Sequence, residues 1–226
     1  MRALSLILLF AFMPCLAEAA SGEVMHVRIA EFMQTWAEIQ YQQPRENRGK
    51  AFKALTEQAG ELALAYPHAA EPLVWQAVAL ASYAQAVRGR EGLRAATKAR
   101  DLLLSAERID PHALDGAIYI TLGRLYFKVP GWPIGFGSKS KARMYLQKAL
   151  EMNPEAIEAN LFYADLLSSQ GDYAHAAEYY RKALAAPARP GQEIADAGRR
   201  RDAQTRLRNI ESRLNTAGVY NAAENH

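Results

Sequence analysis

The residues able to do chemistry are scattered along this chain, and their spacing argues against most catalytic schemes. The five histidines, at positions 26, 68, 112, 175 and 226, form no HExxH or other metal-ligand spacing. The only cysteine, Cys15, lies in an apolar N-terminal stretch. The remainder of the chain therefore offers no thiol nucleophile, disulfide or cysteine metal site. There is no GxSxG turn, and no periodicity sets two carboxylates across a cleft as glycoside hydrolysis requires. Gly135-Phe136-Gly137-Ser138-Lys139-Ser140 has the composition of a phosphate loop without its spacing, because the phosphate cradle needs GxxxxGK[ST]. Ser138 or Ser140 reads more simply as a helix N-cap, where free amides and Lys139 could hold an anion. These observations predict a protein that is not an enzyme and that uses no cofactor and no metal.

Recognition chemistry is better represented. Phe127 to Ser138 holds Trp132 and Phe136 among Pro130, Pro133, Gly131, Gly135 and Gly137. Prolines restrict such a loop and glycines give it unusual angles, so it can be ordered without regular structure. A preorganised aromatic is a frequent interface anchor. Trp132 and Phe136 are therefore candidate binding residues. The alternative is that both rings fold back over the flanking helices and seal the core. The C-terminal part is basic, with nine Lys/Arg and four Asp/Glu between Arg181 and Arg213, against a net charge of +3 for the whole chain. No aromatics interleave with these arginines, so nucleic acid is not the expected partner. Arg199-Arg200-Arg201 is expected to be a solvated face paired with Asp196 and Asp202, or a contact for an acidic partner or lipid headgroup.

The elements that must position these residues are helices. Half the residues are hydrophobic, and the composition favours Ala, Leu, Glu, Arg and Lys over β-branched runs. From Asn153 to Pro187, two apolar-periodic runs flank Gly171-Asp172. The glycine suits the left-handed end of one helix and the aspartate the cap of the next. The second run places Tyr173, Ala176, Ala177, Tyr180, Ala183 and Leu184 on one face. This unit repeats. Pro67, Pro111 and Pro154 stand 44 and 43 residues apart, and each is followed eight residues later by an aromatic: Trp75, Tyr119 and Phe162. A hairpin of this kind cannot bury its own apolar face and must stack on neighbours. Nine helices are expected, the first from about Gly22 to Tyr41 and the ninth from about Gln192 to Leu214. In the first, Val27, Ala30, Phe32, Met33, Trp36 and Ile39 are the expected apolar residues. Longer interhelix loops are expected at 127–140 and around Arg88 to Arg94.

The 153–187 unit, of about 34 residues, resembles a tetratricopeptide (TPR) repeat, and the resemblance extends over about residues 70 to 186. It implies an all-α fold of stacked antiparallel helix hairpins, a TPR-like solenoid with a C-terminal capping helix. Within that superfamily the chain resembles exported bacterial TPR proteins, through Pro130-Gly131-Trp132-Pro133-Ile134-Gly135-Phe136-Gly137, Ala186-Pro187-Ala188-Arg189-Pro190-Gly191 and Ala195-Asp196-Ala197-Gly198-Arg199-Arg200. More distantly it is similar to the periplasmic T-component of TRAP-type solute transporters. The resemblance implies protein binding or ligand handling. TPR proteins that clamp a partner's C-terminal carboxylate use Lys and Asn on inner helices. Here those faces offer Arg124, Asn160 and Asp165 as candidate binding residues without the matching basic set, so that clamp is not expected.

The organisation expected is a signal peptide over 1–19, an N-terminal hairpin over 20–66, repeats over 67–187, and a capping helix with a short flexible tail over 188–226. Arg2, the apolar run Leu4 to Leu16 and the small residues of Ala17-Glu18-Ala19 predict export with cleavage after Ala19. The apolar run is too short to span a bilayer, which takes about 20 residues. The expected function is a periplasmic scaffold or adaptor binding another periplasmic protein or peptide. The alternative is an accessory subunit of a solute uptake system that binds or passes on a small solute.

Overall fold

In the hairpin of α7 (Ile157–Ser168) and α8 (Tyr173–Ala185), the repeat pattern becomes geometry. Gly171 takes a left-handed φ of 83° between the helices. The Asp172 carboxylate then accepts the His175 backbone N–H at 3.4 Å and starts α8. Ala176, Ala177, Tyr180 and Ala183 are buried on one face of α8, with Tyr173 and Leu184 half-buried at its margins. The computed structural model describes the backbone of residues 13–224 and the side chains of residues 22–215. The expected leader, 1–19, lies outside the residues whose side chains are described.

Three more hairpins precede this one: α1 (Met13–Tyr41) with α2 (Arg45–Ala65), α3 (Ala70–Val87) with α4 (Gly89–Ile109), and α5 (Ala117–Lys128) with α6 (Lys139–Met152). A final helix, α9 (Glu193–Glu224), follows. The odd-numbered helices touch one another in succession and form the inner row of the stack, while the even-numbered ones pack outside. One core cluster runs continuously from α3 to α9. A second, containing Phe32, Trp36, Phe52, Leu55 and Ala195, joins α1 and α2 to the start of α9. Among the described residues, no helix is long and apolar enough to cross a membrane.

Several local expectations need correction. The polar stretch Arg88 to Arg94 is not a loop. The chain reverses at Arg88 and Gly89, at φ 56° and 57°, and α4 begins at once. The extra residues of this repeat lengthen the helices, to 18 and 21 residues against 12 and 13 in the α7–α8 hairpin. Good helix formers prolong a helix wherever its face can be buried. α1 starts at Met13 rather than Gly22, and α9 continues past Leu214 to Glu224. Val27 and Ala30 are exposed. The buried stripe of α1 is instead Met25, Ile29, Phe32, Trp36 and Ile39, at helical spacing and aimed by the helices packed on it.

The ninth helix does more than cap. Ala203, Leu207 and Ile210 join the main core, as a terminal element must. Its first turns also lie along α7 and reach α1. Gly198 permits this approach, because a Cβ there would run into the Tyr41 ring. The inner row thus curls until its first and last members meet.

Candidate functional site

The 129–138 segment is held by its own backbone. Ser138 N–H donates to the Tyr126 carbonyl at 2.8 Å, Gly137 N–H to Pro130 at 2.9 Å, and Ile134 and Gly135 N–H both to Gly131 at 3.1 Å. Ser138 caps α6 by accepting the Lys141 N–H at 3.3 Å. The two aromatic candidates part company here. Phe136 folds back edge-on against Tyr126, with centroids 5.3 Å apart, and the Arg100 guanidinium lies 4.6 Å above it. Trp132 is 90% exposed, and Ile134 beside it is 70% exposed. The core-sealing geometry therefore describes Phe136 and not Trp132.

Behind this loop α3, α4 and α5 enclose a cleft of about 630 Å³. Ala81, Ala84, Leu93, Ala96, Leu125 and Val129 line its apolar part, and Ile134 closes one side. Arg88, Arg90, Arg124 and Lys128 also line it, and among the described residues no carboxylate does. Glu91, adjacent in sequence, is engaged by the Tyr83 hydroxyl. Burial lowers the pKa of Lys128 and of Arg124. Arg124 donates to Gln85 Oε1 at 2.6 Å and lies 4.9 Å over the Phe162 ring, and it makes no ion pair among the described residues.

Arg124 also borders a second space, a cavity of about 470 Å³ bounded by α1, α3, α5, α7 and the start of α9. Trp36, Trp75 and Phe162 supply aromatic walls. Across it runs a charged network. Glu158 Oε1 accepts from Arg189 at 3.0 Å and pairs with Arg199 at 3.1 Å; Arg189 also grips Asp196. The Arg199 guanidinium stacks 4.8 Å over Trp36. Burial pushes the Glu158 carboxyl up, but the charges of Arg199 and Arg189 outweigh it and hold the pKa below the ordinary value. Trp75 Nε1, Glu158 Oε2 and Arg199 Nη1 are buried without a partner among the described residues, and all three residues line this cavity.

Of the inner-helix candidates, Arg124 and Asp165 come near each other and Asn160 does not join them. Asp165 accepts two bonds from Arg206, at 2.9 and 2.7 Å, and one from the Tyr180 hydroxyl at 2.7 Å. Burial and that carboxylate raise the Tyr180 pKa. Asn160 is fully buried, and its Nδ2 donates to the Pro154 and Ala156 carbonyls, pinning the turn into α7. The arginine triplet is not a solvated face paired with its neighbours. Arg199 pairs with Glu158, Arg200 donates to the Ala186 carbonyl at 2.9 Å, and only Arg201 is exposed. The reason is α9's insertion toward α1, which buries the side of the triplet facing the stack. Sequence reasoning passed over Glu158, Arg189 and Trp75. The one available signal was a glutamate in the apolar first turn of a repeat helix.

Residues 157–188 match the family model of the tetratricopeptide repeat. In fold the chain is similar to TTC0263, a thermophilic TPR protein of Thermus thermophilus. That likeness has a TM-score of 0.53 and 20% identity, and covers 71% of this chain and 80% of that one. MamA is similar at 18% identity over 77% of this chain and 95% of its own, with a TM-score of 0.44. No curated protein matches. The fold is an all-α solenoid of stacked antiparallel hairpins, of the TPR type, an architecture suited to binding other proteins.

Proposed function

We propose that this chain is a periplasmic scaffold or adaptor that binds another protein through the 129–138 loop, with Trp132 as its anchor. The observation that carries the reading is Trp132, 90% exposed on a loop fixed by its own hydrogen bonds. An ordered, solvated indole has little to gain from water and much from a partner's apolar surface. A photo-crosslinking amino acid at position 132, placed in intact cells, should yield one discrete adduct that the same group at exposed Arg201 does not. Equal adducts from both positions would refute the assignment. The periplasmic location rests on Arg2, the apolar run and Ala17-Glu18-Ala19. N-terminal sequencing of the protein recovered from periplasm should begin at Ala20, and a cytoplasmic protein retaining Met1 would refute it.

The cavity favours a second reading, the binding of a small solute as an accessory of an uptake system. At about 470 Å³ it lies within the roughly 300–1,000 Å³ common for ligand sites. It also holds three of the buried polar atoms that lack a partner among the described residues. Trp36, Trp75 and Trp132 are the chain's only tryptophans. In a Trp132→Phe background, emission excited selectively from tryptophan therefore reports the cavity alone. A saturable change on titration with a solute would support this reading, and an unresponsive emission across a solute panel would count against it.

A further inference from the structure

We propose that the cleft between α3, α4 and α5 receives an acidic segment of a partner protein that carries apolar anchor side chains. The inference rests on the scaffold reading above and names the chemistry of the partner. Four observations meet at this place. The floor is apolar, lined by small or aliphatic side chains such as Ala84, Leu93 and Leu125. Among the described residues, the charged ones lining the cleft are all cations, Arg88, Arg90, Arg124 and Lys128. The loop beside it leaves Ile134 and Trp132 in water, 70% and 90% exposed. Finally, Arg88 itself adopts φ 56° and ψ −165°, a region that is sterically open essentially to glycine alone. An arginine there is a cost to folding, and what it places at the cleft edge is a guanidinium.

Charge complementarity selects the occupant. The direct contacts of Arg124 are a neutral amide and an aromatic face, and Lys128 lies over the Phe127 ring at 4.5 Å; Asp165 attracts both cations but is itself engaged by Arg206 and the Tyr180 hydroxyl. Burial disfavours the charge on both. A carboxylate arriving at the rim would restore what burial has taken from them, and charge-assisted bonds of this kind are the strong ones. A basic segment would be repelled by four cations at once. The apolar floor demands hydrophobic side chains from the same segment. Its continuation onto Ile134 and Trp132 extends the surface beyond what a small molecule in the cleft would cover. An anionic bilayer fits less well, because a flat headgroup plane resting on Trp132 and Ile134 would leave the recess behind them unfilled.

Three synthetic peptides of one apolar pattern decide the matter, with Asp/Glu, Gln or Lys at the polar positions. Their binding to the full chain is read by fluorescence anisotropy at low and raised salt. The acidic peptide should bind at least about tenfold more tightly than the neutral one, weaken with salt, and leave the lysine peptide unbound. Its affinity should fall about tenfold on Trp132→Ala and on the double substitution Arg88→Gly and Arg90→Ala. Arg88→Gly alone should weaken binding while raising the melting temperature, which no merely structural role for Arg88 produces. Equal affinity for the acidic and neutral peptides, with Trp132 still required, overturns the acidic partner and leaves the scaffold reading standing. Acidic-peptide binding that survives both sets of substitutions places the site elsewhere and overturns the proposal. So does sedimentation with anionic phospholipid vesicles in place of peptide binding. If no peptide binds while the crosslink at position 132 forms, the partner chemistry is wrong; if neither occurs, both readings fail.

Discussion

Replacing Glu158 with glutamine isolates the buried network that fastens α9 to the inner row. Glu158 is the carboxylate that pairs with Arg199, and Arg199 belongs to the first turns of α9 and lies against Trp36. Their side chains are each 12% exposed. Removing one member of a buried pair costs about 3–5 kcal/mol, because the other charge stays behind unpaired. Two features reduce that here. Arg189 keeps Asp196 as a partner, and Arg199 keeps the indole face. A loss of about 2–3 kcal/mol is expected, a fall of roughly 5–10 °C in melting temperature for a domain of this size. Urea unfolding followed by circular dichroism measures it. The pH dependence gives a second reading. The folded pKa of Glu158 lies below its ordinary 4.5. Its stabilisation is therefore complete above the unfolded pKa and lost as pH falls through the folded one. The difference between wild type and Glu158→Gln should be full near neutrality and shrink as the medium is acidified below 4.5. The double variant Glu158→Gln with Arg199→Met should recover stability relative to the single, since the stranded charge has gone. A single variant within about 0.5 kcal/mol of wild type at neutral pH would refute the network's role.

Phe136→Ala should cost about 1–2 kcal/mol, because the ring is only half-buried against Tyr126, whereas Trp132→Ala should leave the urea midpoint unchanged. Gly198→Val drives a branched side chain into Tyr41 and should cost about 2–3 kcal/mol; a neutral result would show that α9 does not lie on α1 in solution. Ending the chain after Pro187 removes Ala203, Leu207 and Ile210 from the core and exposes the α7–α8 hairpin. Aggregation is expected in light scattering, and a soluble truncation with an unchanged melting curve would contradict the capping role.

The solenoid was legible in the sequence because its signals are local and repeated. Gly171 and Asp172 mark the turn between α7 and α8 through their own backbone preferences. Ala176, Ala177, Tyr180 and Ala183 mark the buried face through helical period alone. The spacing of Pro67, Pro111 and Pro154 shows the units, and stacking follows because none can bury its face alone. What the period cannot carry is how far the stack curls. Arg199 sits among arginines and aspartates and reads locally as a solvated residue. It is buried because Gly198 lets α9 meet Tyr41, more than 150 residues earlier. Asn160 looks like a recognition residue on an inner helix, yet the carbonyls of Pro154 and Ala156 engage its Nδ2. Trp132 and Phe136 share one loop and one set of glycines and prolines. Which ring faces water was decided by a tertiary contact, the fit of Phe136 between Tyr126 and Arg100. Local chemistry thus determined the helices, caps and repeat. The separation of cleft from cavity at Arg124, and the groups lining each, arose only from the packing of helices distant in sequence, because burial and ion pairing depend on neighbours that no short stretch of chain contains.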